Sequence, residues 1–95
     1  MSAYIVFIKE REHDAGAMAT YSAAAGPSLG GHNAKPLAYY GGIETLEGPE
    51  AQGCVIVEFP TMEEARAWYQ SDAYQTARAH RFAGADYRVF ITQGL

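Results

Sequence analysis

The sharpest change of pattern along this chain falls between Cys54 and Arg81. Cys54-Val55-Ile56-Val57 is an unbroken apolar run that ends on Glu58-Phe59, and Pro60 then withdraws an N–H from any strand ladder. Thr61-Met62-Glu63-Glu64 follows with the S/T-x-x-E spacing of a capping box, where hydroxyl and carboxylate each satisfy a free backbone donor at a helix start. The pattern predicts a strand over Cys54–Phe59, then a helix with Met62, Ala65, Trp68 and Tyr69 inward and Glu63, Arg66 and Ala67 outward. Ser71-Asp72 interrupts that helix and can cap a further piece. On this piece Tyr74, Ala77, Arg78 and Arg81 fall at i, i+3, i+4 and i+7, hence on one face.

Upstream, Tyr4-Ile5-Val6-Phe7-Ile8 is short, aromatic and β-branched, as a strand buried on both faces should be. The charged run Lys9 to Asp14 is expected to end it. Asp14, or else His13, can cap a first helix, on which Met18, Tyr21, Ser22, Ala25 and Leu29 form a mild apolar stripe. Pro27 either kinks this helix or opens a short second segment, and Gly30-Gly31 ends it. His32 to Lys35 reads as a turn, with Asn33 best suited to a left-handed backbone. Leu37–Tyr40 reads as a second strand, resumed over Ile43–Leu46 after a bulge or bend at Gly41-Gly42. Glu47 to Glu50 is the hairpin loop returning to Cys54, and Tyr87–Thr92 is the last strand.

The order is β-α-β-β-α-β, a ferredoxin-like α+β arrangement with an antiparallel sheet and helices on one face. Tyr4, Val6 and Ile8 alternate with Ile5 and Phe7, and Phe90 alternates with Tyr87, Val89 and Ile91, so both faces of the sheet are apolar. Two helices hide one face. A second copy is expected on the other, because leaving large side chains wet forgoes roughly 1.5–3 kcal/mol each. A homodimer packed sheet against sheet is therefore predicted. Ninety-five residues suffice for one domain, 1–95. A net charge of −4 argues against a nucleic-acid partner, and the lone Cys54 fits a reducing, cytoplasmic setting. No apolar run reaches membrane-span length, so no membrane partner is expected.

Glu58-Phe59-Pro60-Thr61, Ala65-Arg66-Ala67-Trp68-Tyr69, Ser71, Tyr74-Gln75 and Arg81 resemble, in order and spacing, the domain-of-unknown-function-1330 family. Tyr4, Pro27, His32 and Gly41-Gly42 extend the similarity over nearly the whole chain. The family usually carries Gly-Gly after the histidine, where this chain has Asn33-Ala34, which restricts the backbone at Ala34. The resemblance implies a dimeric α+β barrel but no common reaction. Superfamily relatives include cofactor-free quinol monooxygenases, muconolactone isomerases, haem-degrading enzymes, chlorite dismutase-like proteins and stress-responsive barrels.

In such folds a small-molecule cleft lies between sheet and helices, and its polar groups are few. His32 is the candidate general base, and its plainer role is a turn histidine bonded to backbone. Glu58 closes an apolar strand, where burial raises a carboxyl pKa or demands a partner, so it is either catalytic or paired with an arginine. Arg78 and Arg81 beside Tyr74 could hold a carboxylate or phenolate, or else merely cover apolar surface. Trp68 and Tyr74 are expected to line the cleft, with core packing as their plainer use. His13, His32 and His80 lack metal-ligand spacing, Cys54 sits inert in an apolar strand, and neither a phosphate loop nor a nucleophile elbow is present. No cofactor is expected. The readings left open are a cofactor-free enzyme, monooxygenase- or isomerase-like, acting on a small anionic or phenolic molecule, and a non-catalytic binding or stress-related barrel whose polar residues pair internally. An interaction module using a free sheet edge is a third, weaker reading.

Overall fold

The computed structural model describes residues 1–95. The four strands are β1 (Ala3–Glu12), β2 (Lys35–Tyr39), β3 (Gly53–Phe59) and β4 (Ala85–Gln93). They form one antiparallel sheet in the order β2-β3-β1-β4, open at both edges. Three helices, α1 (Ala15–Ala25), α2 (Met62–Tyr69) and α3 (Asp72–Gly84), complete the β-α-β-β-α-β order, with the second helical region split as the Ser71-Asp72 break requires. No helix is long and apolar enough to cross a membrane.

Each helix start has a side-chain acceptor on a backbone donor. Asp14 takes the N–H of Ala17, Thr61 that of Glu64, and Ser71 that of Tyr74. Only half of the expected capping box forms. The Glu64 carboxylate accepts instead from Asn33 Nδ2 at 2.9 Å, tying the turn before β2 to the first turn of α2. Asn33 thus acts through its side chain, and the left-handed backbone falls on Gly31 (φ 80°). Pro27 opens a one-turn 3₁₀ segment, Pro27–Leu29, from its first position.

Two strand boundaries differ from expectation. β1 runs on through the charged residues to Glu12, because β4 pairs with it as far as Glu12↔Ala85, across a bulge between Lys9 and Arg11. Exposed charges are no obstacle to a strand whose ladder is satisfied. β2 starts at Lys35 and does not resume over Ile43–Leu46. Tyr40 adopts φ 51° and turns the chain out of the sheet, so residues 41–52 form a long connection.

The helix-covered face carries Ala3, Ile5 and Phe7 of β1 and Val55, Val57 and Phe59 of β3, all buried. Trp68 stacks on Phe59 at 5.7 Å and tilts against Tyr74 at 4.2 Å, which makes an aromatic centre for the core. The opposite face has no covering element. Across its middle run Ala38, Ile56, Val6 and Phe90, neighbours by register, with Phe90 43% exposed. Lys35, Glu58 and Thr92 lie at one end of this apolar band and Arg88 at the other.

Candidate functional site

Between α1 and the β2–β3 side of the sheet lies a cleft of about 180 Å³. Phe7, Val57 and Trp68 form its buried floor, Tyr21 and Tyr40 stand in its wall, and exposed Tyr39 lies at its mouth. Nine of its eleven lining residues are apolar, and none is a carboxylate or imidazole. The volume fits a one-ring molecule, since an apolar cavity of roughly 150 Å³ accommodates benzene. The indole N–H of Trp68 is already committed to Ser28 Oγ at 3.1 Å, so the polar atoms that this wall can offer a guest are phenol hydroxyls.

Those hydroxyls belong to a larger cluster. Tyr21 and Tyr74 share a buried hydrogen bond of 2.9 Å, and Tyr40 and Tyr87 share one of 2.6 Å. Arg81, only 3% exposed, lies one side-chain layer behind the cleft, its guanidinium carbon 5.8 Å from the Phe7 ring centre and 6.0 Å from that of Tyr21. It also sits 5.0 Å from the Tyr87 ring and 5.1 Å from that of Phe82. Its Nη2 donates to Tyr69 Oη at 3.2 Å, and its Nε has no acceptor. The ion pairs Lys9–Glu12 and Arg88–Glu10 and the His13–Asp86 contact leave Arg78 and Arg81 without a carboxylate. A buried cation without an anion is costly, and buried charges are ordinarily paired.

The charge leaves a mark on its neighbours without dominating them. Burial pushes the phenols of Tyr21, Tyr40, Tyr74 and Tyr87 above the usual tyrosine range, and the nearby Arg81 charge pulls each partly back. All four therefore stay protonated at neutral pH. They are hydrogen-bonding groups, not bases.

Arg81, Tyr74 and Trp68 fall into one aromatic assembly on the helix side of the sheet. Arg78 borders it from outside, half-buried, its guanidinium 5.1 Å from the rings of Tyr69 and Phe82 and its Nε without a partner. His32 and Glu58 are elsewhere. His32 is half-buried in the turn after the 3₁₀ segment, where its backbone N–H bonds the Leu29 carbonyl, outside the lining of the apolar cleft. Glu58 lies on the uncovered face, in register with Tyr4 and Lys35, and borders a polar hollow of about 250 Å³ with Ser2, Asn33 and Lys35. Strand alternation explains the separation, since Val57 and Phe59 point toward the helices and Glu58 must point away. The expected convergence of His32 and Glu58 with the arginines is thus absent, and so is a Glu58–arginine ion pair.

Tyr21, Tyr40 and Tyr87 are the members that residue-by-residue reading left in the core or in a strand. Their signal was collective: seven tyrosines in a chain of 95, of which Tyr21, Tyr69 and Tyr87 meet one arginine and Tyr74 and Tyr40 bond to members of that set. The family model described as a domain of unknown function, DUF1330, matches residues 2–95. The chain belongs to this family. No curated protein matches the DUF1330 chain. Among solved structures it is similar to a protein of unknown function from Rhodopseudomonas palustris, with a TM-score of 0.75 at 20% identity over 99% of this chain and 82% of that one. A second likeness is to a dimeric protein of unknown function and ferredoxin-like fold from Bacteroides fragilis, TM-score 0.66 at 8% identity over 98% and 96%. A third is to an ethyl tert-butyl ether D family protein from Bacillus halodurans, TM-score 0.66 at 13% identity over 100% of both chains. At these identities the likeness is one of fold, and the DUF1330 chain is α+β and ferredoxin-like.

Proposed function

We propose that this protein is a cytoplasmic homodimer in which the helix–sheet cleft of each subunit binds a compact one-ring molecule bearing a phenolic or anionic oxygen. The observation carrying the reading is Arg81, buried with an unpartnered Nε and no carboxylate, immediately behind a cleft whose own wall is apolar. An apolar wall selects the ring, and the positive field behind it selects the oxygen. The same donors and charge would stabilise an oxyanion developing on a substrate, which keeps a cofactor-free, enzyme-type reaction as the second reading. A lining without carboxylate or imidazole makes binding the first. The internal salt-bridge version of a non-catalytic role has no support, since neither arginine is ion-paired.

Trp68 is the chain's one tryptophan and lines the cleft, so its emission reports occupancy. Titration with phenol is expected to change that emission saturably, at one equivalent per chain. A change that grows linearly without saturating would mean collisional contact and would end the cleft assignment.

The dimer rests on the uncovered apolar band. Phe90 is 43% exposed, so burying the remainder in both copies contributes roughly 1.3–2.6 kcal/mol per dimer, scaled from 1.5–3 kcal/mol for a whole ring. Phe90→Asp forgoes this burial and sets two carboxylates in the seam, so it is expected to raise the dimer dissociation constant at least about tenfold, at 1.4 kcal/mol for each factor of ten, while leaving the fold intact. Sedimentation should show native dimer and variant monomer at micromolar concentration. Equal masses for the two proteins would move the interface off this face.

A further inference from the structure

Tyr40 is held in place by more than a wall residue needs. It is the chain's one non-glycine residue with positive φ, at 51°, a left-handed conformation that costs a bulky side chain steric strain. Such outliers persist where the surroundings over-determine them, and they gather at ligand sites. Here the ring lies against Gly53, so closely that a Cβ at position 53 would stand 2.8 Å from Tyr40 Cδ1. The backbone N–H bonds the Cys54 carbonyl at 2.9 Å, the exposed Tyr39 ring packs edge-on at 4.9 Å, and the hydroxyl meets Tyr87 at 2.6 Å. Gly41-Gly42 then lets the chain leave with no neighbour to displace.

Burial and hydrogen-bond capacity together point to the same residue. Of the polar groups in the wall, the Trp68 N–H is committed to Ser28, the Tyr21 hydroxyl is bonded to Tyr74 in a side chain only 6% exposed, and Tyr39 is exposed at the mouth, while Tyr40 is half-buried. A phenol hydroxyl has one donor and two acceptor sites, so the single bond to Tyr87 leaves Tyr40 capacity for another partner. Either hydroxyl of the Tyr40–Tyr87 pair can donate in their bond, and with Tyr87 donating the Tyr40 proton is left for a ligand oxygen.

We propose that Tyr40 is the specificity-determining residue of the cleft, selecting one-ring ligands that carry an oxygen by a hydrogen bond from its hydroxyl to that oxygen. This rests on the cleft being the ligand site. The Gly53 hollow and the Tyr87 hydroxyl are the parts that aim it, and Arg81, 5.0 Å from the Tyr87 ring, polarises the pair from behind.

Phenol and toluene are near-isosteric probes differing in the oxygen. Calorimetric titration of native protein is expected to show phenol bound about tenfold more tightly than toluene, the size of one hydrogen bond in a partly enclosed site. Tyr40→Phe keeps the ring and should abolish that preference, with toluene affinity unchanged. Gly53→Ala, which displaces the Tyr40 ring, should abolish it as well. A Tyr40→Phe protein that still prefers phenol tenfold overturns the role of Tyr40 while leaving the cleft reading intact. Equal loss of both probes reduces Tyr40 to a wall residue and also overturns it. Native protein that binds neither probe removes the cleft reading and this inference together.

Discussion

Above about pH 10, the protein is expected to lose up to about 2.7 kcal/mol of stability with each further pH unit through Tyr21 and Tyr74. Tyr21 and Tyr74 are 6% and 0% exposed and hydrogen-bonded to each other. Burial is the largest cause pushing both phenols up. The Tyr74 charge adds to it at Tyr21, whereas at Tyr74 the bond from Tyr21 and the Arg81 charge offset it only in part. In the unfolded chain each proton leaves near the ordinary value of about 10, while the folded chain keeps both. The folded state then binds more protons than the unfolded one, so stability falls as pH rises through that window and is fully present below it. Each group accounts for about 1.36 kcal/mol per unit, and two give the slope. A domain of ordinary stability, roughly 5–15 kcal/mol, loses a large share of it within about two units. Urea unfolding followed by Trp68 emission at a series of alkaline pH values measures this directly. The double variant Tyr21→Phe, Tyr74→Phe should make the dependence shallower, leaving the part due to Tyr40 and Tyr87, at little cost near neutrality, because both partners of the bond go together. An unchanged slope in that variant would place the sensitivity elsewhere.

The fold was legible because its punctuation is local. Pro60, Thr61 and Ser71 act within a few residues, and the structure puts a strand end and two helix caps where they predict them. The boundaries that were misread depend on partners distant in sequence. β1 passes through Lys9–Glu12 only because β4 returns alongside it, and no property of the charged run itself announces that pairing. Ile43–Leu46 has strand-like residues, yet Tyr40 turns the chain away from β3 before they can pair. The Glu64 carboxylate left its capping role for Asn33, thirty-one positions away. The site follows the same division. Arg81, Tyr74 and Trp68 were visible because helix periodicity places them on inward faces. Tyr21, Tyr40 and Tyr87 join them through bonds across 53 and 47 residues, which no spacing rule reaches. His32 and Glu58 illustrate the converse: residues of reactive type in an apolar setting suggest a site, and strand alternation then sends Glu58 to the wrong side of the sheet.

Arg81 is the residue on which a structural and a functional explanation make opposite predictions. As a fold element, its replacement should destabilise the chain. As a cation held for a ligand, it is a burden in the empty protein. Desolvating a guanidinium costs several kcal/mol. Against this stand a hydrogen bond to Tyr69, worth roughly 1.5–3 kcal/mol for a charged donor, and contact with rings that its flat group can face only two at a time, at about 0.5–2 kcal/mol each. These returns recover most of the cost but leave the Nε unsatisfied and the charge without a counter-ion. Methionine has similar length, no charge and the flexibility to fill the same aromatic pocket. Arg81→Met is accordingly expected to stabilise the unliganded protein by about 1–3 kcal/mol, by analogy with buried charges replaced by apolar residues. Sites that gain stability when disabled are those kept for function. The deciding measurement is urea unfolding of Arg81→Met beside the native protein at neutral pH without ligand. A midpoint above the native one is the predicted result, and an equal or lower midpoint would contradict the account by making Arg81 a part of the fold.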